Sequence, residues 1–445
     1  MVLVFARSPE YGLYALFFSS AILVAPNLPV VGSKLALPEF VALCAWIGFL
    51  LSRQPVQLER ASGAVLAGVP FLAWYVLAFI VNAGRANEQG AFLSSLIETL
   101  NLLYSFSTFL LVALIVDRTS TAWRCVLAWL AGAVVVCVVG LITLAGHGPD
   151  WALDDNTQRL SSTLRRENQV PSFLIPVLPA ALLFAASRLV APPLRLGLYA
   201  LAFAIIAVSY GTGSRTALVM LVLVLMGVVW VVLRETGRGA IMPVRLFALF
   251  AMLTTALVGA TLYIQAQSTQ YASRFEAPGW QRATLVLSAW LEGDEFVDGG
   301  RVNQIRDALT LMPDEPVFGV GPALFKPMLG GHEVHNSYVG AAVEAGIPAA
   351  VFLIFWFAYL MVHCWAGAGS SPHAPTRLLA CSLLIGLAAL LCYGLPQYGL
   401  RQRNIWLVCG LMACLPQLAA AMSAQTRRVP AAPAYAMTGA YAARQ

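Results

Sequence analysis

Apolar residues run along this chain in long blocks separated by short polar joints. A membrane-spanning helix needs about 17 to 25 mostly apolar residues. Twelve stretches meet that description, near 11–31, 36–52, 64–83, 91–116, 125–146, 170–187, 194–210, 216–233, 245–266, 338–363, 378–397 and 404–423. The pattern predicts an all-α integral membrane protein of about twelve transmembrane helices. Between the ninth and tenth blocks it lapses for about 70 residues, from 267 to 335. Inside that lapse, Val302, Ile305, Leu309 and Met312 recur at helical spacing with polar residues opposite, which predicts an amphipathic helix over 301–312. An earlier helix is expected over Trp280 to Leu291. Pro313-Asp-Glu-Pro316 should stop the second helix, and Gly319-Val-Gly321 should form a tight turn. A loop of this length is usually functional, here as a lid on the outer membrane face.

The chain therefore divides into nine spans (1–266), a loop with amphipathic helices (267–335), three further spans (336–423) and a tail (424–445). The first block follows Arg7 and lacks an A-x-A-like cleavage site, so it reads as a retained anchor. No internal repeat is evident.

Composition sharpens the picture. Hydrophobic residues make up 59% and charged residues 11%, against about 25% charged in an average soluble domain. That excludes a soluble globule, and 22 Phe, 14 Tyr and 11 Trp exclude a disordered chain. The eight cysteines lie in or at the ends of apolar blocks, which argues against disulfides and a Cys-built metal site.

Of 27 basic residues all but Lys34 and Lys326 are arginine, whose rigid fork grips phosphate bidentately. Short loops on one side hold fourteen of them and those on the other hold eight, which places both termini in the cytoplasm. The eight outer exceptions are Lys34, Arg85, Arg159, Arg165, Arg166, Arg215, Arg401 and Arg403. Something must justify basic charge there.

Candidate chemistry clusters on the same outer side. His335-Asn336-Ser337-Tyr338 ends the long loop where segment ten begins, and an imidazole at such a boundary can accept a proton near neutral pH. A snorkelling interfacial histidine is the plainer reading, and His332 is a rival base. Glu344 lies about 13 Å deeper on the opposite face of a continuous helix, out of reach of His335. Glu39 and Glu98 are intramembrane carboxylates too, either functional or fixing helix contacts. In Gly211-Thr-Gly-Ser214-Arg215, a sharp turn delivers helix-start N–H groups and a guanidinium, an anion site unless Arg215 is a helix-end anchor. Arg159 and Arg165-Arg166-Glu167-Asn168 form a third cluster, which alone could be a solvated charge patch.

With Arg301 these clusters describe a cationic cavity beside a candidate base. No Asp-x-Asp set occurs on that side, and neither metal nor cofactor is expected. An anion transporter could use the same arginines, but paired broken helices are not evident and a one-sided lid suits a carrier poorly.

Several motifs also carry a resemblance. Gly300-Arg301, Pro316-Val-Phe-Gly319-Val-Gly321, His335-Asn336 and Glu344-Ala-Gly346-Ile resemble, in order and spacing, the signature of the bacterial O-antigen ligase and polymerase superfamily. Gly213-Ser214-Arg215-Thr216 is similar to its Ser-Arg motif, and Arg166-Glu-Asn168 to its Arg-x-Asn motif. Ala349 departs from the second glycine often found there. The resemblance covers roughly 155 to 360. It implies a GT-C type glycosyltransferase of the bacterial inner membrane with a periplasmic site, using neither nucleotide sugar nor metal. The lipopolysaccharide ligase moves a glycan from undecaprenyl diphosphate to a sugar hydroxyl of the lipid A core, whereas the polymerases join repeat units on that carrier. The implied partners are the lipid-linked donor, the lipid A-core acceptor and membrane lipids, with no nucleic acid. The implied roles are His335 as base, Arg215 and Arg301 on the diphosphate, and Arg159, Arg165, Arg166, Asn168, Asn336 and Ser214 on the substrates.

Overall fold

A computed structural model describes residues 1–23, 36–52, 61–154, 159–235, 299–328 and 334–428. Their regular structure is helical, with a single isolated bridge between Leu153 and Leu160. We number the α-helices α1 (Val2–Arg7), α2 (Pro9–Ser19), α3 (Leu37–Leu51), α4 (Ser62–Val81), α5 (Ala83–Glu88), α6 (Phe92–Ile115), α7 (Thr119–Leu144), α8 (Gln169–Leu174), α9 (Leu178–Ala186), α10 (Pro192–Gly211) and α11 (Arg215–Glu235). After the long loop come α12 (Gly299–Thr310), α13 (Phe325–Met328), α14 (Ser337–Ala345), α15 (Ile347–Cys364), α16 (Ala374–Tyr393) and α17 (Arg403–Arg428). Among the described residues nine helices are long and apolar enough to cross a membrane. This is a multi-pass membrane protein.

Nine of the twelve expected segments find a span, three of them with differences. Segment six carries Pro171, Pro176 and Pro179, and its helix tightens to a 3-10 turn at Ile175–Val177 between α8 and α9. Proline has no N–H to give the ladder, so an interruption is expected there. Segment ten, expected as one helix over 338–363, is two: α14 and α15 meet at Gly346, whose φ is +86°. The membrane-crossing part starts at Ile347. Segment twelve starts at Arg403 and its helix continues to Arg428, into the expected tail.

The three remaining segments are not among the nine. The first block gives α2, which ends at Ser19, and a separate short helix, α1, precedes it across Ser8-Pro9. The second gives α3, at 15 residues shorter than a spanning helix. Segment nine, the helix expected over 280–291, His332 and the tail beyond Arg428 lie outside the described residues.

The helices pack as α4 against α15, α6 against α17, α11 against α16 and α2 against both α3 and α7. Their centre is aromatic. Trp356 meets Phe109 edge-on at 5.2 Å and Trp406 at 5.5 Å, and its indole N–H donates to the Ala64 carbonyl at 2.9 Å.

Contacts sort the loops onto two ends of the bundle. At one end Leu23 N–H bonds Thr163, Arg159 bonds Thr212, Asn82 reaches Gly319 and Ser337 bonds Gln397. At the other, Arg377 pairs with Glu235 at 2.5 Å, and Thr119 and Thr376 both meet Met422. The loops expected on the outer side thus touch one another, and so do those expected on the inner side.

Candidate active site at the loop-bearing end

α14 is built to hold its first residues still. Asn336 is its N-cap: the side-chain oxygen accepts the N–H groups of Tyr338 and Val339, each at 2.9 Å. Ser337 ties the same turn to the loop between α16 and α17, donating to the Gln397 carbonyl at 2.9 Å and accepting the Gly399 N–H at 2.6 Å. His335, half-buried, sits one residue before that cap. Asn336, expected on a substrate, thus has its side-chain oxygen engaged in holding the helix that follows His335.

The far end of α14 breaks because another motif docks on it. A helix leaves its last carbonyls without partners. Here the Val343 carbonyl accepts the Val320 N–H at 2.8 Å, the Glu344 carbonyl accepts the Gly321 N–H at 3.0 Å, and the Ala345 carbonyl accepts the Trp74 indole N–H at 3.0 Å. A Cβ on Gly346 would overlap the Val317 carbonyl, and one on Gly319 the Val343 carbonyl. Both glycines also have positive φ, at +86° and +62°, which other residues adopt at a cost. The Pro-Val-Phe-Gly-Val-Gly and Glu-Ala-Gly motifs are therefore two halves of one joint. Trp74 seals it, with its ring stacked on Phe318 at 5.3 Å.

The helix expected over 301–312 forms as α12, over Gly299–Thr310, and packs on α14. The contact centres on Ala308, fully buried with Val320, Phe325, Val334 and Val343, and Leu311 and Met312 close it. Leu309, expected in the apolar stripe, is instead 46% exposed, because a small residue at 308 allows the closest approach. Arg301 lies in the first turn of α12.

Arg215 is the first residue of α11, after a turn in which Gly213 has φ +64°. Ser214 is buried, and its N–H donates to the Thr212 hydroxyl at 3.3 Å. Arg159 joins this turn to the third cluster: its Nε donates to the Thr212 carbonyl at 2.8 Å and its Nη1 to Glu167 at 3.0 Å. Asn168 donates to the same carboxylate at 3.4 Å. Arg165 turns elsewhere, its Nε donating to the Leu23 carbonyl at 3.3 Å, and Arg166 is exposed. His147 bonds the Ala145 carbonyl, His363 stacks on Tyr359 and His373 bonds Thr376, ordinary loop and helix-end roles.

The three carboxylates expected within the membrane have partners far away in sequence. Glu98 accepts from Arg401 Nε at 2.6 Å, and Glu39 pairs with Arg403. Glu344, fully buried, accepts the Tyr75 hydroxyl at 2.6 Å, the Tyr398 hydroxyl at 2.5 Å and the Ala323 N–H at 3.2 Å. Burial raises its carboxyl above the ordinary carboxylate range, and the Glu98 charge adds to the rise. Arg401 also stacks on Tyr398, 4.7 Å from the ring centroid. Three outer arginines are thereby justified as counter-ions: Arg401, Arg403, and Arg85, which pairs with Glu315. Beside them lies a cavity of about 350 Å³ lined by Glu39, Glu98, Tyr104, Arg165, Arg401 and Arg403.

Residues 200–354 match the family model described as O-Antigen ligase. The matched segment is similar to the O-antigen ligase family. No curated protein matches the chain. The O-antigen ligase segment runs from within α10 to within α15 and contains Arg215, Arg301, the docked turn, His335 and Glu344. The Arg159–Asn168 cluster precedes it. Glu39 and Glu98 also precede it, and Arg401 and Arg403 follow it.

Proposed function

We propose that this protein is an inner-membrane glycosyltransferase of GT-C type, with both termini cytoplasmic and its site on the periplasmic side. It moves an O-antigen glycan from undecaprenyl diphosphate to a sugar hydroxyl of the lipid A core. One observation carries the reading: the O-antigen ligase segment holds His335 immediately before the capped, braced start of α14, with the lid helix packed on that same helix.

The chemistry follows from the parts. The acceptor oxygen attacks the anomeric carbon as His335 takes its proton, and the bond from that carbon to the diphosphate oxygen breaks. The lipid diphosphate leaves with the bonding electrons. Arg215 and Arg301, in the first turns of α11 and α12, neutralise the charge that develops on it. Arg159, Arg165, Arg166, Asn168 and Ser214 support the substrate around them, and the lid keeps water from competing with the acceptor. The isoprenoid tail stays in the bilayer and reaches the site between spans.

Deleting the gene and resolving lipopolysaccharide on a gel tests the reading. Loss of all glycan-capped species, with lipid-linked long glycan accumulating, is the expected result. Core carrying a single repeat would instead make the protein a polymerase. Unchanged lipopolysaccharide would remove it from this chemistry.

A further inference from the structure

The loop between α16 and α17 is held against α14 at three points. Ser337, Gly340 and Glu344 follow one another at helical spacing, so they share one stripe of α14, two turns long. At the first point the Ser337 N–H donates to the Gly394 carbonyl at 2.7 Å. The Ser337 hydroxyl donates to the Gln397 carbonyl at 2.9 Å and accepts the Gly399 N–H at 2.6 Å. Tyr398, between those two loop residues, makes the other points. Its ring lies so close to α14 that a Cβ on Gly340 would overlap it. Its hydroxyl donates to the buried Glu344 carboxylate at 2.5 Å. The Arg401 guanidinium lies over the same ring, 4.7 Å from its centroid, and is anchored to Glu98 on α6 at 2.6 Å.

The loop is thus pinned at one end to the turn that follows His335, and at the other to a buried carboxylate. Removing the tyrosine hydroxyl leaves Ser337 bonded to a loop with one restraint fewer, and the backbone that aims the His335 ring moves with that loop. A misplacement of about 1 Å can cost about 10²-fold in rate. We infer that Tyr398 is a positioning residue for His335, fixing through Glu344, Gly340 and the adjoining Ser337 contacts the turn from which the candidate base projects. The role of His335 rests on the glycan-transfer reading, whereas the clamp rests on geometry alone.

Tyr75 supplies the control. It donates to the same oxygen, Oε2 of Glu344, at 2.6 Å, but from α4 rather than from the loop. The test compares Tyr398→Phe with Tyr75→Phe in the full chain in nanodiscs, by transfer kinetics and by hydrogen exchange read by mass spectrometry. Tyr398→Phe should lower kcat about tenfold or more per folded protein, with KM for donor and acceptor unchanged. Exchange of the amides over 337–341 should quicken about threefold to tenfold, the worth of one hydrogen bond, while α15 keeps the parent rate. Tyr75→Phe should lose as much stability yet keep the parent's kcat and its exchange over 337–341. Gly340→Ala, which crowds the ring but keeps every hydrogen-bonding group, should lower kcat as Tyr398→Phe does. Unchanged exchange over 337–341 in Tyr398→Phe, or equal kcat in the two tyrosine variants, would overturn the inference. Faster exchange in a protein without transferase activity would leave the clamp standing and defeat the transfer reading. Faster exchange with the parent's full kcat would defeat the positioning role alone.

Discussion

Glu344→Ala is the most revealing single change in this structure. The carboxylate is fully buried and accepts two tyrosine hydroxyls, at 2.6 and 2.5 Å, and one backbone N–H at 3.2 Å. In alkaline buffer, where even this raised carboxyl is ionised, a hydrogen bond to a charged group contributes about 1.5–3 kcal/mol, and a buried donor left without a partner costs about 1–3 kcal/mol. Two tyrosines on one carboxylate therefore put the expected loss at about 3–6 kcal/mol. The assay is unfolding of the purified protein in detergent, followed by tryptophan fluorescence. Tyr75→Phe and Tyr398→Phe should each cost about 1.5–3 kcal/mol. The decisive comparison is the triple variant. Removing the carboxylate and both hydroxyls together leaves neither tyrosine donor stranded, so its loss should fall below the sum of the three single losses by at least about 1 kcal/mol. Strict additivity would refute the reasoning, because the tyrosines would then not depend on Glu344.

Four further outcomes are expected. His335→Ala should lower glycan transfer by about 10² to 10⁴ at matched membrane levels while His332→Ala stays mild; the reverse would put the base three residues upstream. Arg215→Lys and Arg301→Lys should each cut transfer at least about tenfold, because lysine keeps the charge but not the bidentate fork; full activity in both would send the diphosphate elsewhere. Transfer should persist in excess EDTA, and recovery of lost activity on adding Mg²⁺ or Mn²⁺ would contradict arginine-based charge neutralisation. The raised carboxyl of Glu344 means the folded state holds a proton that the unfolded state gives up near the ordinary value of 4.5. Stability should then fall as pH rises above that value, and Glu344→Gln should flatten the decline; a variant with the parent's slope would assign the titration to another group.

Much of this architecture is local in origin and could be read from the chain. Lipid makes an apolar run of spanning length a helix wherever it occurs, so most spans were visible without knowing their neighbours. The lid helix, the turn after it, the helix start at Arg215 and the O-antigen ligase motifs are short-range signals of the same sort. The break in segment ten left a trace as well, Gly346 followed by Pro348 in the first turn of α15. Its cause did not, because the turn at 316–321 occupies the space a continuous helix would need only after the two segments meet. The carboxylates mark the limit most clearly. Glu98 and Arg401 are 303 residues apart, and nothing near either one names the other. Periodicity reports what solvent a residue faces, whereas a charge buried at the bundle end takes whichever counter-ion packing delivers. For that reason Arg401 and Arg403 stood out from sequence only as basic residues on the wrong side. Only tertiary structure made them partners of Glu98 and Glu39, and walls of a cavity.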